Sequence, residues 1–211
     1  MSGSPGLLEQ KIYIVDDDEA LRDSLEWLLE SNGYSVASYE SAESFLDFYD
    51  ASLTGCLVLD VRMPGMSGLE LFEELKRRCS TLPVIFITGH GDVPMAVSMV
   101  KKGAVDFIEK PFGDRDMLVL IEQCLAAERE NRGKRRLEAD TARRLGHLTQ
   151  REREVLDLII AGKLNKQIAD VLGISIKTVE VHRARVMEKM GVNSLAELVQ
   201  HVIAAATGVS H

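Results

Sequence analysis

Five side chains in the first half of the chain could do chemistry together if the backbone brought them to one place. They are the carboxyls of Asp16, Asp17 and Asp60, the hydroxyl of Thr88 and the ammonium of Lys110. Desolvated together, the three carboxylates would repel one another strongly. A hard divalent cation relieves that repulsion, and Mg²⁺, which prefers oxygen ligands and keeps several waters, suits the set. A carboxylate beside Mg²⁺ can attack a phosphoryl group and become an acyl phosphate, with metal and ammonium neutralising the transferring oxygens. That makes Asp60 the candidate nucleophile, with Lys110 and Thr88 placed to bond phosphoryl oxygens. Each residue alone has an ordinary explanation, as helix cap, turn hydroxyl or solvated cation.

The case for convergence lies in what precedes them. Short aliphatic or β-branched runs recur at 12–15, 34–38, 56–59, 84–87 and 105–108, each followed by a helical pattern, and such alternation specifies a parallel sheet. The helices are legible as apolar stripes: Leu21, Leu25, Leu28 and Leu29 in the first, Leu71, Phe72 and Leu75 in the third, Met117, Ile121, Cys124 and Leu125 in the fifth. The fold expected is α/β, a doubly wound, flavodoxin-like five-stranded sheet. Such sheets bind ligands outside the carboxyl ends of their strands, and those ends carry Asp16-Asp17-Asp18, Asp60, Thr88 and Lys110-Pro111.

At 211 residues the chain has room for two domains, and its net charge of −8 is divided unequally. Residues 1–127 carry 10 Lys/Arg against 22 Asp/Glu, a balance of −12, and residues 128–211 carry 15 against 11, a balance of +4. An acidic front joined to a basic back suits one part that handles cations and another that approaches a polyanion. No apolar run is long enough for a membrane span and the N-terminus lacks the pattern of a secretory signal, so a cytoplasmic protein is expected. The three cysteines, Cys56, Cys79 and Cys124, form no metal-ligand spacing and read as buried or idle thiols.

Residues 114–145 lack proline and are rich in Glu, Arg and Ala, so a helix can run on past the sheet; Gly133 costs about 1 kcal/mol within it, and the alternative is a helix that breaks there with a flexible second half. Beyond it, Thr149 caps a helix bearing Val155, Leu156, Ile159 and Ile160, and 165–172 forms a short helix stopped by Gly173. A third helix starts near Ser175 and ends at Gly191, with Val179, His182, Val186 and Met190 inward and Lys177, Arg183, Arg185 and Lys189 off the core stripe. Two helices joined by a short Gly turn, the second bearing basic residues, form a helix-turn-helix pattern. His182 has no second ligand near it and is expected to pack or touch phosphate.

Both halves resemble known families. VDDD at 15–18, LDVRMPGMSG at 59–68, FITGHGDVPMAV at 86–97 and KKGAVDFIEKPF at 101–112 resemble the receiver domains of two-component response regulators, most closely the FixJ branch. The resemblance implies a histidine kinase as phosphoryl donor to Asp60. It also implies Mg²⁺ held by Asp17, Asp60 and the carbonyl of Arg62, with Asp16 acting through water, a cis Lys110-Pro111 bond, and a switch pair of Thr88 and Phe107. Phe107 lacks the hydroxyl that some receivers carry there. The stretch 148–199 is similar to the LuxR-type DNA-binding domain and implies a four-helix bundle whose third helix enters the major groove. By that likeness Asn165, Lys166, Lys177 and Thr178 approach phosphates, and Glu180, Val181 and Ala184 occupy base-facing positions, flanked by Arg183 and Arg185. Glu180 could accept from cytosine or pair with Arg183 or Arg185 instead, and Val181 could meet a thymine methyl.

The division expected is a receiver at 1–127, a helical linker at 128–145 and a DNA-binding domain at 146–211. Phosphorylation would drive homodimerisation and promoter binding, with RNA polymerase as a further partner and activation as the family's commoner outcome. Two rival readings use the same residues: a docking receiver that works without phosphate, and a Mg²⁺-dependent phosphatase with an aspartyl-phosphate intermediate. The phosphatase is disfavoured because its nucleophile generally follows the first strand, whereas Asp60 follows the third.

Overall fold

The computed structural model describes residues 10–89 and 93–208. The chain separates into two compact units, one ending at Glu130 and the other beginning at Asn131.

The first unit is built on five parallel strands: β1 (Lys11–Val15), β2 (Ser35–Tyr39), β3 (Gly55–Asp60), β4 (Val84–Thr88) and β5 (Asp106–Glu109). Their spatial order is β2-β1-β3-β4-β5, so β3 is central and all six of its residues are buried. Strand residues alternate between two cores. Tyr13, Val15, Leu57, Leu59 and Phe86 face α2 (Ala42–Phe48), α3 (Gly68–Arg77) and α4 (Val93–Lys101) through Phe45, Leu71, Phe72, Leu75 and Met99. Ile12, Ile14, Cys56, Val58, Ile85 and Ile87 face α1 (Glu19–Ser31) and α5 (Asp114–Gly146) through Leu25, Leu28, Leu29, Met117 and Ile121. Such two-sided burial is why these strands read as near-continuous apolar runs, and the doubly wound expectation holds.

Hydrogen bonding rather than hydropathy sets the strand limits. The second strand begins and ends one residue later than its apolar run because Tyr39 is in register with Val15, and the fifth is likewise shifted to 106–109 by pairing with 85–88. Asp60 and Thr88 prove to be the last residues of β3 and β4 rather than the first loop residues after them. Cys56 and Cys124 are buried thiols whose sulfurs lie 2.7 Å apart, and burial together with the neighbouring thiol pushes the Cys56 thiol well up; Cys79 is exposed.

The expected helix over 114–145 is α5, which runs 33 residues with Gly133 inside it. The remaining helices are α6 (Gln150–Ile160), α7 (Asn165–Leu172), α8 (Ile176–Met190) and α9 (Leu195–Gly208). Their starts and stops follow local chemistry. Thr149 and Glu152 form a reciprocal capping box on α6, Ser175 caps α8, and Gly173 and Gly191 end α7 and α8 at φ 64° and 65°. These are left-handed positions that glycine occupies without a Cβ penalty. Val155, Leu156, Ile159, Ile168, Val179, Val186, Met190 and Leu198 make one core. No helix among the described residues is long and apolar enough to cross a membrane.

Candidate functional site

The strand order carries four of the five singled-out side chains to one edge of the first unit. β1 delivers Asp16, central β3 delivers Asp60, β4 delivers Thr88, and the residue after β5 is Lys110, whose amide bonds the Thr88 carbonyl at 2.8 Å. The Lys110-Pro111 bond is cis, as the resemblance implied. The ammonium of Lys110 reaches 94 residues back to Asp16 Oδ2 at 3.0 Å and 50 back to Asp60 Oδ1 at 2.7 Å. The other oxygen of Asp60 accepts from the Arg62 amide at 2.6 Å. Asp16 and Asp60 are almost wholly buried, so these are charge-assisted bonds in a desolvated setting.

Burial is the largest influence on Asp60 and pushes its carboxyl up; the Asp16 charge adds to this, and the bond and charge of Lys110 and the Arg62 amide pull it down without cancelling it. Burial works against the Lys110 ammonium, but its bonds to Asp60 and Asp16 outweigh that and hold its pKa above the usual value.

One positive charge against two buried carboxylates leaves the pocket a net acid, the condition under which a further cation binds. Among the described residues no three His, Cys, Asp or Glu side chains stand grouped to hold a metal. The oxygen donors brought together there are the carboxylates of Asp16 and Asp60. An all-oxygen set of this kind fits Mg²⁺, which binds through one or two carboxylates and keeps several of its own waters.

Of the remaining residues, Asp17 is exposed just beyond Asp16, and Asp18 serves as the α1 cap, accepting from Ala20 and Leu21 at 3.0 and 3.3 Å. Thr88 is fully buried and its hydroxyl lies 3.3 Å from the Gly89 carbonyl. Phe107, half-buried on edge strand β5, is in register with Phe86 and packs on the core shared with α4. Residues 90–92 of the FITGHGDVPMAV stretch lie outside the described residues.

Three contributors had not been singled out from sequence. Arg22 donates to the Asp16 carbonyl at 2.7 Å and so fixes the acidic turn from α1. Glu43 accepts from the Met66 amide at 2.9 Å, tying down the loop after β3. Gly68 passes so close to β3 that a Cβ there would stand 1.9 Å from the Asp60 carbonyl oxygen. Only Gly68 had a visible signal, as a glycine opening a helix just after the acidic strand end.

In the second unit, α8 presents Lys177, Glu180, Val181, Ala184 and Arg185 as exposed residues, with Thr178 and Arg183 half-buried. Thr178 is held by Ser175, whose Oγ accepts from the Thr178 amide at 3.1 Å and lies 2.8 Å from Thr178 Oγ1. Asn165 and Lys166 open α7, half-buried and exposed respectively, and line a shallow groove with Glu180 and Arg183. Val179, Val186 and Met190 are buried and turn α8 onto α6 and α7. His182 is half-buried, and its Nδ1 is enclosed without a partner.

Lys189 lies off the core stripe of α8, as expected, but an acid engages it there. Its ammonium bonds the carboxylate of buried Glu152 at 2.6 Å and the His147 carbonyl at 3.2 Å, because the α6 capping box leaves an acid facing the last turn of α8.

Comparison with known proteins agrees with this two-part layout. Residues 12–122 match the response regulator receiver domain, and residues 146–202 match the bacterial regulatory proteins of the luxR family. The chain is 47% identical over 189 residues to the transcriptional regulatory protein FixJ of Bradyrhizobium diazoefficiens, covering 90% of this chain and 92% of the relative. It is 44% identical over 200 residues to the transcriptional regulatory protein TdiR of Thauera aromatica, covering 95% and 87%. Among solved structures, the response regulator StyR is similar at 45% identity and a TM-score of 0.82, covering 92% of this chain and 98% of that one. Full-length FixJ from B. japonicum is similar at 45% identity and a TM-score of 0.58, covering 94% and 98%.

Proposed function

Since the chain belongs to the two-component response regulators that join a receiver to a LuxR-type DNA-binding domain, we propose that it regulates transcription through phosphorylation of Asp60. The observation that carries this reading is the Lys110 ammonium held between Asp16 and Asp60 at the carboxyl edge of the sheet. A histidine kinase supplies the phosphoryl group. The free electron pair of an Asp60 oxygen attacks phosphorus, the nitrogen-phosphorus bond breaks, and the imidazole departs with the bonding pair. Lys110, already within bonding distance of Oδ1, follows the charge onto a phosphoryl oxygen, and the Arg62 amide steadies the other carboxylate oxygen. Asp17, Asp60 and the Arg62 carbonyl are assigned to Mg²⁺, with Asp16 acting through water; the ion supplies charge neutralisation of the transferring oxygens.

Thr88 exchanges its contact with the Gly89 carbonyl for the phosphoryl group, and Phe107 on the edge strand responds by turning inward. The face made by α4, β5 and the start of α5 then pairs two copies of the chain, and a dimer suits paired half-sites in DNA. Residues 1–127 form the receiver, 128–145 the linker and 146–211 the DNA-binding part. In the last, Asn165, Lys166, Lys177 and Thr178 contact phosphates, while Glu180, Val181 and Ala184, flanked by Arg183 and Arg185, face the bases. The dimer recruits RNA polymerase at cytoplasmic promoters.

Intact mass after incubation with acetyl phosphate and Mg²⁺ tests the reading. One phosphoryl adduct is expected on the wild-type chain and none on Asp60→Asn, with sedimentation shifting to a dimer only for the first. An adduct on both would move the acceptor elsewhere, and steady release of phosphate from a simple phosphomonoester would replace the regulator by a phosphatase.

A further inference from the structure

The last turns of α5 lie ahead of the stretch that matches the luxR family, which begins at residue 146, yet they are built into the core of the second unit. Thr141 is 1% exposed and Leu145 packs against the core formed by Leu148, Val155 and Val186. Arg144 donates from Nη1 to the carbonyl of Met190, the last residue of α8, while its Nε is held 2.7 Å from Asp140 Oδ2 one turn earlier on α5. A guanidinium at this position satisfies a carbonyl that α8 cannot pair internally and sits at the negative end of the helix dipole. Gly191 follows Met190, and a Cβ on it would fall 1.9 Å from Arg144 Nη1, so the glycine both ends α8 and makes room for the arginine. The ties run in the other direction as well. Arg153 of α6 donates to the Leu145 carbonyl at 2.8 Å, and Lys189 of α8 donates to that of His147 at 3.2 Å.

From these reciprocal caps we infer that Arg144 is a positioning residue for the DNA-reading helix, and that the DNA-binding module begins at Asp140 rather than at residue 146. The inference rests on the reading of α8 as the helix that faces DNA. Arg144 itself touches no phosphate; it sets the angle and stiffness of α8 by bracing its C-terminal end, with Asp140 orienting the guanidinium. The boundary assigned from the family likeness therefore cuts through the last turns of α5 that hold α8 in place.

The full-length chain tests this with fluorescein-labelled duplexes enriched by the wild-type protein from a random 20-base-pair pool. Arg144→Ala is expected to weaken binding about tenfold, to leave the slope of log affinity against log salt unchanged, and to speed amide exchange at residues 187–191. Arg144→Lys, which keeps a donor for the Met190 carbonyl, should recover most of both effects, and it carries the test if the alanine variant unfolds the second unit. Wild-type affinity and exchange in Arg144→Ala would overturn the inference. A salt slope reduced by about 0.9 would also overturn it, by making Arg144 a phosphate contact. Lys177→Ala is run in parallel: if it leaves affinity intact, the reading of α8 as the DNA-facing helix fails, and the exchange at residues 187–191 alone then decides whether Arg144 braces α8.

Discussion

Glu152 offers the most quantitative test of how the second unit is held together. Its carboxylate, 2% exposed, accepts from the Thr149 amide at 2.8 Å and from the Lys189 ammonium at 2.6 Å, and these partners lower its pKa from 4.5 to about 2. A drop of that size corresponds to roughly 3.5 kcal/mol at neutral pH, at about 1.4 kcal/mol per unit. Lys189 is about one-third exposed, so solvent screening brings the net value of the pair nearer 2 kcal/mol. Glu152→Gln keeps an oxygen for the cap and removes only the charge. It should destabilise the second unit by about 2 kcal/mol, or roughly 10 °C in Tm for a unit of this size. Glu152→Ala should cost about 1 kcal/mol more through loss of the cap.

The pH dependence separates charge from packing. A carboxylate whose folded pKa is depressed contributes fully above its unfolded value, near 4.5 for Glu152, and loses that contribution as pH falls through its folded value. The gap in stability between wild type and Glu152→Gln should therefore be constant above about pH 5 and close between about pH 5 and 2. Thermal unfolding followed by circular dichroism, with exchange at α6 and α8 amides to assign the transition, measures it. Trp27, the only tryptophan, lies on α1 and gives an independent signal from the first unit. A Glu152→Gln chain that melts with the wild type, or a gap that persists undiminished at pH 2.5, would refute the electrostatic account.

Two further outcomes follow from packing in the first unit. Gly68→Ala places a methyl 1.9 Å from the Asp60 carbonyl oxygen, so β3 and α3 must separate; urea unfolding should show a loss of about 2–3 kcal/mol. In native protein a thiol reagent such as dithionitrobenzoate should modify Cys79 alone, with Cys56 and Cys124 reacting only after unfolding; fast labelling of all three would contradict their burial in the core between the sheet and α5.

The fold was legible where local rules and tertiary packing agree. Apolar runs buried on both faces announced β1, β3 and β4, and Ser175 with Gly191 bracketed α8 to the residue. The placing of Asp16, Asp60 and Lys110 at one sheet edge followed from their positions at strand ends. What escaped was set by partners distant in sequence. Lys189 looks like a solvated helix cation until Glu152, 37 residues away, is seen facing it. Arg22 and Arg144 carry no local sign that they reach the carbonyls of Asp16 and Met190. The ends of β2 and β5 depended on register, which hydropathy does not encode.

The order of the five strands also grades the first unit mechanically. Asp60 terminates the central, wholly buried β3, paired on both sides, so its amides should exchange only when the whole unit opens. Phe107 belongs to β5, a four-residue edge strand with one neighbour and mostly half-buried residues, whose opening requires far less. On the reading proposed above, a covalent event at Asp60 would fall on the most deeply buried strand of the sheet, while the rim two strands away is the part least held by its neighbours. Substitutions that loosen β3 should blunt the acceptor, whereas those that stiffen β5 should leave it able to accept but slow to respond.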